Sequence, residues 1–168
     1  MTKVTDEEIP LTTTTCQICA CPIKSKAGLI AHHGYKRSNR GSGRQTKSCA
    51  GARQLPYEVS CDIIPPTIAG IKNYIAMKET QKAEFIVNPP EKLTFQLTSY
   101  SEPKESDRPE GFDVEKALRT EGCHAFFSYA GKFTHRIHEI EQDIKFAKID
   151  LHFLEDRLAK WKPPVGVI

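Results

Sequence analysis

Cysteine and histidine residues concentrate in one early segment of the chain. Cys16 and Cys19 form a C-x2-C pair, and a histidine pair and a third cysteine, Cys49, follow it. Three thiolates and one imidazole are a donor set that holds a structural zinc ion tetrahedrally. A redox C-x2-C is the rival interpretation, but it needs a βαβ context, and the residues that follow are rich in Gly, Lys and Arg. The pattern therefore predicts zinc as the cofactor.

Two positions in this ligand set have competitors. The apolar run before His32 and His33 can form a short strand, whose successive side chains point to opposite faces, so only one imidazole should reach the metal. His33 is favoured because Gly34 after it permits a tight turn, and His32 stays the alternative. Cys21 could compete for the metal, but a C-x-C pair spans a tetrahedral ion awkwardly. We expect Cys21 to be a small buried hydrophobe instead.

The composition is that of an ordinary soluble protein. The 168 residues are 39% hydrophobic and 27% charged, which suits one domain or a small module with an extension. No stretch approaches the ~20 apolar residues of a membrane span, and the N-terminus lacks the apolar core of a signal peptide. We therefore expect a cytoplasmic protein whose six cysteines are metal ligands and spares rather than disulfides.

All the excess positive charge lies in the cysteine-rich segment. The net charge is +3, yet residues 9–57 hold eight basic residues and no acidic one. Such a patch is typical of phosphate binding. The alternatives are a merely solvated loop, or basic neighbours that help retain a negatively charged thiolate site. The candidate nucleic-acid contacts are Lys36, Arg37, Arg40, Arg44, Lys47 and Arg53.

The chain reads as four regions. They are a flexible N-terminus (1–15), a basic zinc-binding module (16–62), a helix, strand and linker (63–112), and a long helical region (113–168). Pro65 and Pro66 predict a helix start, alternation from Leu93 predicts a half-buried strand, and the charged residues 101–111 predict a linker or exposed loop. The expected fold class is α+β, with a small zinc-finger-like module joined to a mostly helical region that ends in a long coiled-coil-like helix.

The C-terminal region carries a regular apolar seam. Asp113 is expected to cap a helix, and from Phe126 to Trp161 apolar residues recur at alternating steps of 4 and 3, over about 54 Å. The seam favours a homodimer or docking onto a partner, and a central helix buried within a monomer is the alternative. The candidate interface residues are Phe133, Ile137, Ile140, Ile144, Leu151, Leu154 and Leu158.

Six short segments follow one another in the order CQICACPIK, LIAHHGYKR, SCAGARQLPYEVSCD, NPPEKLTFQL, RPEGFD and RLAKWKPP. Together they resemble a family of small uncharacterised proteins encoded by bacteriophages, prophages and other mobile elements. The chain departs from that family at Cys21 and in lacking a proline after Arg37. The resemblance implies a phage or mobile-element origin, the cytoplasm of a host cell, and no known activity. It also implies a zinc site at Cys16, Cys19, His33 and Cys49.

Three classes of function compete. The first is a non-enzymatic zinc module that binds nucleic acid, or a nucleic-acid-bearing complex, where Tyr35 could stack on a base. The second is an inhibitor or adaptor that uses the long helix to bind a host or defence protein complex. The third is a metal-dependent nuclease, which lacks an acidic partner for its histidines between Glu8 and Glu58. We therefore expect a protein that is not an enzyme and whose partner is nucleic acid or a host complex, with no membrane involved.

Overall fold

The computed structural model describes residues 12–26, 28–34, 48–95, 102, 104–119 and 128–164. The elements in these ranges are β1 (Thr12–Thr15), β2 (Pro22–Lys26), β3 (Leu29–Ile30), α1 (Ile64–Val87), β4 (Lys92–Phe95), β5 (Lys104–Asp107), α2 (Val114–Arg119) and α3 (Tyr129–Lys160). The α+β class predicted from the sequence, with its long C-terminal helix, is confirmed. Among the described residues, no helix has both the length and the apolar content that crossing a bilayer requires.

The chain divides into two compact units. Unit 1 comprises Met1–Ile71 and Asp150–Ile168, and unit 2 comprises Lys72–Ile149. Both boundaries fall inside the long helices α1 and α3, so each helix contributes residues to both units. No linker marks such a boundary in the sequence, because the chain stays helical across it.

Unit 1 contains an antiparallel sheet in the order β1-β2-β3. Thr15 pairs with Pro22 at one end of the β1–β2 ladder, so the CQICAC turn joins these two strands. The sequence analysis placed Thr12–Thr15 in a flexible N-terminus. These residues instead form an edge strand, as their β-branched side chains favour once a partner strand is present.

The buried core of unit 1 combines thiols with aliphatic side chains. Its buried members include the three cysteines of the predicted metal site, Ile64 and Ile68 from α1, and Leu154 from α3. The sulfur atoms therefore lie within the core of the unit rather than on its surface. A small unit buries little apolar area, so an ion that joined these three cysteines would crosslink its core directly.

Unit 2 contains an antiparallel pair of strands, of which only the first was predicted from the sequence. Strands β4 and β5 pair antiparallel, from Lys92 opposite Asp107 to Phe95 opposite Lys104. Strand β5 lies in residues 101–111, which were predicted to be a linker or exposed loop, and for Lys104–Asp107 that prediction is wrong. Most side chains of β5 are exposed, and Lys92 forms an ion pair with Glu105 at 3.3 Å. A strand with such charged, exposed side chains has the same composition as a loop.

An aromatic cluster forms the core of unit 2. Phe133 is fully buried and stacks on Phe85 with 5.0 Å between the ring centroids. Phe112 packs edge-on against Tyr129, with 4.8 Å between the ring centroids.

At the N-terminus of α2 the backbone N–H of Lys116 donates to Asp113 Oδ1 over 3.0 Å. The predicted capping role of Asp113 is therefore confirmed.

The apolar seam of α3 packs inside the chain. Four of the predicted interface residues have exposed fractions of 3% or less, namely Phe133, Ile137, Ile140 and Leu154. The other three are partly buried, namely Ile144, Leu151 and Leu158. In unit 2 the seam meets Phe85 of α1, and in unit 1 it meets Ile64 and Ile68. We correct the assignment of the four buried residues to an intermolecular interface, because a helix–helix contact within one chain has the same 4-3 spacing as one between chains.

Candidate metal centre

The four predicted ligands converge in unit 1. The donor atoms of Cys16, Cys19, His33 and Cys49 all lie within 4.8 Å of one another. Cys16 Sγ is 3.8 Å from Cys49 Sγ, and Cys19 Sγ is 3.4 Å from His33 Nε2. Bonds of about 2.3 Å to sulfur and about 2.0 Å to nitrogen, at tetrahedral angles, require separations of about 3.8 and 3.5 Å. The cluster could therefore hold one metal ion with tetrahedral coordination.

The orientation of His33 suits a ligand. Its Nδ1 lies 2.9 Å from the carbonyl oxygen of Ala31, so an N–H on Nδ1 donates there and leaves the lone pair of Nε2 facing Cys19. His32 is exposed, and its Nε2 lies 3.0 Å from Ser48 Oγ. Only His33 belongs to the cluster, in line with the alternation of side chains expected along a short strand.

The CQICAC turn places two sulfur atoms on the same side of the chain. Backbone N–H groups of Ile18 and Cys19 donate to Cys16 Sγ, and that of Cys21 donates to Cys19 Sγ. Ala20 closes the turn with a φ of 57°, a left-handed conformation that costs a non-glycine residue about 1–2 kcal/mol. Its backbone N–H donates to the carbonyl of Cys16 over 3.1 Å. Backbone geometry therefore positions both thiols.

A second turn positions Cys49 in the same way. The backbone N–H of Gly51 donates to Cys49 Sγ, and a Cβ on Gly51 would lie 2.2 Å from Cys16 Sγ. Only glycine lets the backbone approach that sulfur so closely. Arg53 follows with a φ of 63°, and its N–H donates to the carbonyl of Ile30 over 2.8 Å. This turn therefore brings the third thiol to the first two.

The three thiols share their protons unequally. Hydrogen bonds from the thiols of Cys19 and Cys49 lower the pKa of Cys16 below its ordinary value. The hydrogen bond with Cys16 raises the pKa of Cys49 to about 11, and burial acts in the same direction. The pKa of Cys19 is also raised, chiefly by its hydrogen bond with Cys16. An incoming metal ion would therefore meet one thiolate and would displace protons from the other two.

Sequence analysis missed Gln17, which lies between the first two cysteines. Its side chain is fully buried, and its Nε2 donates to the carbonyl of Leu55 at 2.9 Å and to Asp62 Oδ1 at 3.1 Å. Its Oε1 accepts the backbone N–H of Ile63 at 3.3 Å. Gln17 thus ties the CQICAC turn to the start of α1. A polar residue inside a C-x2-C pair carries no sequence signal for this role.

A second group of missed residues joins the turn to α3. Tyr57 Oη donates to the carbonyl oxygen of Arg157 over 2.5 Å, and Trp161 Nε1 donates to the carbonyl of Tyr57 over 2.8 Å. The guanidinium of Arg157 donates to the carbonyls of Cys16 and Gln17. These partners are separated by about a hundred residues or more in the sequence, so no local pattern could have predicted the contacts.

The predicted nucleic-acid contacts fall almost entirely outside the described residues. Only Arg53 is described, and its side chain is exposed. The others are Lys36, Arg37, Arg40, Arg44 and Lys47. The segment 35–47 that carries them begins and ends at an antiparallel bridge between Gly34 and Ser48. The backbone N–H of Cys49 donates to the carbonyl of His33 over 2.9 Å, so both ends of the basic segment are held beside metal-ligand candidates.

Comparison with known proteins gives no relative from which a function could be inferred. No protein-family model, no curated protein and no solved structure matches this chain. The resemblance to a phage and mobile-element family therefore stays a prediction. The Cys/His cluster is the feature from which a function has to be argued.

Proposed function

We propose that the chain is a non-enzymatic zinc protein of phage or mobile-element origin, which binds nucleic acid, or a complex that carries nucleic acid, through its basic metal-binding module. The observation that carries the proposal is the anchoring of the basic segment. Its two ends meet at the Gly34–Ser48 bridge, next to the ligand candidates His33 and Cys49. The segment resemblances noted in the sequence support the origin.

The donor set supports zinc in a structural role. Thiolates and imidazole together favour zinc over harder cations such as magnesium or calcium, which prefer oxygen ligands. Four protein donors complete a tetrahedral shell, whereas catalytic zinc sites keep one position for water or substrate. The three cysteines are buried, which also limits the approach of a substrate to the ion.

The charge of the tethered segment supports nucleic acid as the partner. Five of the thirteen residues between Gly34 and Ser48 are basic and none is acidic. Ends held together at the bridge lower the entropic cost of presenting these cations as a group. The second class of function, a protein-binding adaptor that uses the long helix, loses its main contact surface because four seam residues are buried within the chain.

Fluorescence anisotropy with labelled DNA and RNA oligonucleotides tests the proposal. Affinity should fall steeply between about 50 and 200 mM salt, because each neutralised phosphate releases counterions. Joint replacement of Arg40, Arg44 and Lys47 by Gln should weaken binding and flatten the slope of log K against log salt by up to about 2.7. Zinc content should not change.

The matched control removes the same charge from unit 2. Lys104, Arg136 and Lys145 are exposed there, and their joint replacement by Gln should leave the affinity within about twofold, because they lie outside the basic segment. An affinity indifferent to salt, or equal losses in the two triple variants, would contradict nucleic-acid binding through this segment. Cleavage of the oligonucleotides by the zinc-loaded protein would contradict the non-enzymatic assignment.

A further inference from the structure

One cation from α3 reaches the turn that carries the first two cysteines. Arg157 Nη2 donates to the carbonyl oxygen of Cys16 over 3.1 Å, and Arg157 Nε donates to that of Gln17 over 3.2 Å. The guanidinium carbon lies 3.9 Å from the centroid of the Tyr57 ring. A planar, permanently charged group therefore lies over an aromatic face and donates hydrogen bonds to two backbone carbonyls.

The second of these carbonyls belongs to a peptide group that also contacts a sulfur atom. The carbonyl of Gln17 and the N–H of Ile18 are two ends of one peptide unit. That N–H donates to Cys16 Sγ, while the carbonyl accepts from Arg157. A hydrogen bond at one end of a peptide polarises it and strengthens the hydrogen bond at the other end. Arg157 therefore makes the Ile18 N–H a stronger hydrogen-bond donor to the sulfur of Cys16.

The net charge of a metal-loaded site explains why a nearby cation would be favourable. A divalent ion with three thiolates and a neutral imidazole carries a net charge of −1, and this charge would be buried among Cys16, Cys19 and Cys49. A cation in the surrounding layer of groups offsets that cost. In the part of the chain that the structure describes, the cation bonded to the carbonyls of this turn is Arg157 of α3.

We infer that Arg157 is a component of the metal centre, a positioning residue that strengthens metal binding by holding the carbonyl groups of Cys16 and Gln17 and that withdraws electron density from the Cys16 sulfur through the peptide group of Gln17 and Ile18. The inference rests on the metal-binding part of the proposed function and is independent of nucleic acid. Groups that orient metal ligands in this way typically contribute about 10- to 100-fold to metal affinity. Arg157 acts through a peptide group rather than on a ligand directly, so the lower end of that range applies.

Cobalt(II) titration of the full-length protein tests the inference, because cobalt takes tetrahedral thiolate sites and reports them by a sulfur-to-cobalt charge-transfer band. Arg157→Met should bind cobalt about tenfold more weakly, and its band should move to longer wavelength because the sulfur of Cys16 is more electron-rich. Arg157→Lys keeps the charge but loses the planar fork. It should lie between Arg157→Met and the wild type in both measurements.

Two control variants separate this role from the docking of α3. Lys160→Met removes the same charge from the same end of the helix, where Lys160 is exposed and pairs with Asp156 at 2.8 Å. Tyr57→Phe removes the hydroxyl bond to the backbone of α3 but keeps the ring under the guanidinium. Both controls should keep the wild-type band and bind cobalt within about twofold of the wild type, since neither touches the donated hydrogen bonds.

Different results contradict the role of Arg157 and the metal site itself. Wild-type affinity and band position in Arg157→Met, or equal effects in Tyr57→Phe or Lys160→Met, would overturn the inference alone. Failure of the wild type to take up cobalt or zinc would overturn the metal site and with it the proposed function. If circular dichroism shows that Arg157→Met does not fold, Arg157→Lys carries the test, and a wild-type affinity and band in that variant would overturn the inference.

Discussion

Replacement of Gly51 by alanine should weaken metal binding without disrupting the helices. The added Cβ would lie 2.2 Å from Cys16 Sγ and 3.5 Å from Ile18 Cγ1. The contact with Ile18 is ordinary, but a carbon and a sulfur atom cannot approach to 2.2 Å without a bond. One of them must move by more than an ångström, and the sulfur is a ligand whose position the metal requires.

The magnitude follows from how the strain can be relieved. Overpacking of one methyl group in a close-packed site costs about 1–3 kcal/mol. Without metal, the side chain of Cys16 can rotate away and avoid the clash. The strain therefore falls mainly on the metal-bound form. A penalty of this size corresponds to about a 5- to 150-fold loss of metal affinity.

Competition with a chromophoric chelator measures this loss, and Gly70→Ala is the matched control. Gly70 lies on α1, where an added Cβ would have nothing within 4 Å, and alanine is the better helix former by about 1 kcal/mol. Gly70→Ala should therefore bind metal as the wild type does. If Gly51→Ala also stays within twofold of the wild type, the close approach of this backbone to the sulfur has no role in the site.

The remaining predictions concern the ligands, the core and pH. Metal analysis should show that Cys49→Ser loses the metal, because one of the four ligand candidates is removed, while Cys21→Ser keeps it; equal loss in both would refute the ligand set. Phe133→Ala should lower the free energy of unfolding by about 3–5 kcal/mol in urea titrations, and Met77→Ala, at a site 55% exposed, by less than about 0.5 kcal/mol. Similar losses would contradict the seam as an internal core. Metal affinity should tighten by up to about 100-fold per pH unit near neutrality, because the raised pKa values of Cys49 and Cys19 mean that two protons must leave. Calorimetry in buffers of different ionisation enthalpy counts the protons released, and a count of zero would rule out this proton displacement.

The metal-ligand set and the helix cap could be predicted from the sequence. The C-x2-C pair, His33 and Cys49 were predicted as one donor set, and the structure brings their donor atoms within 4.8 Å. Ligand identity depends on residue type and on short turns, which sequence spacing reports directly. The cap at Asp113 was predictable for the same reason, since its partner is the N–H of Lys116, three residues away.

The seam of α3 shows where sequence reasoning reached its limit. Its 4-3 spacing correctly indicated one long helix with an apolar stripe. The same spacing suits a helix of the same chain and a helix of a second copy, because ridges and grooves are alike in both. Contacts with Phe85, Ile64 and Ile68 decided in favour of α1. Strand β5 is a similar case, because its charged residues needed β4 beside them before their pairing could be recognised.

The sequence by itself determined the metal-ligand chemistry, the charge of the tethered segment and the presence of the long helix, because these depend on residue types and short spacings. Tertiary structure alone decided that Gly51 must lack a side chain against Cys16 Sγ. It also decided that Arg157 contacts the carbonyl of Cys16, 141 residues away. Such contacts depend on how distant segments pack, and packing has no periodicity along the chain from which it could be read.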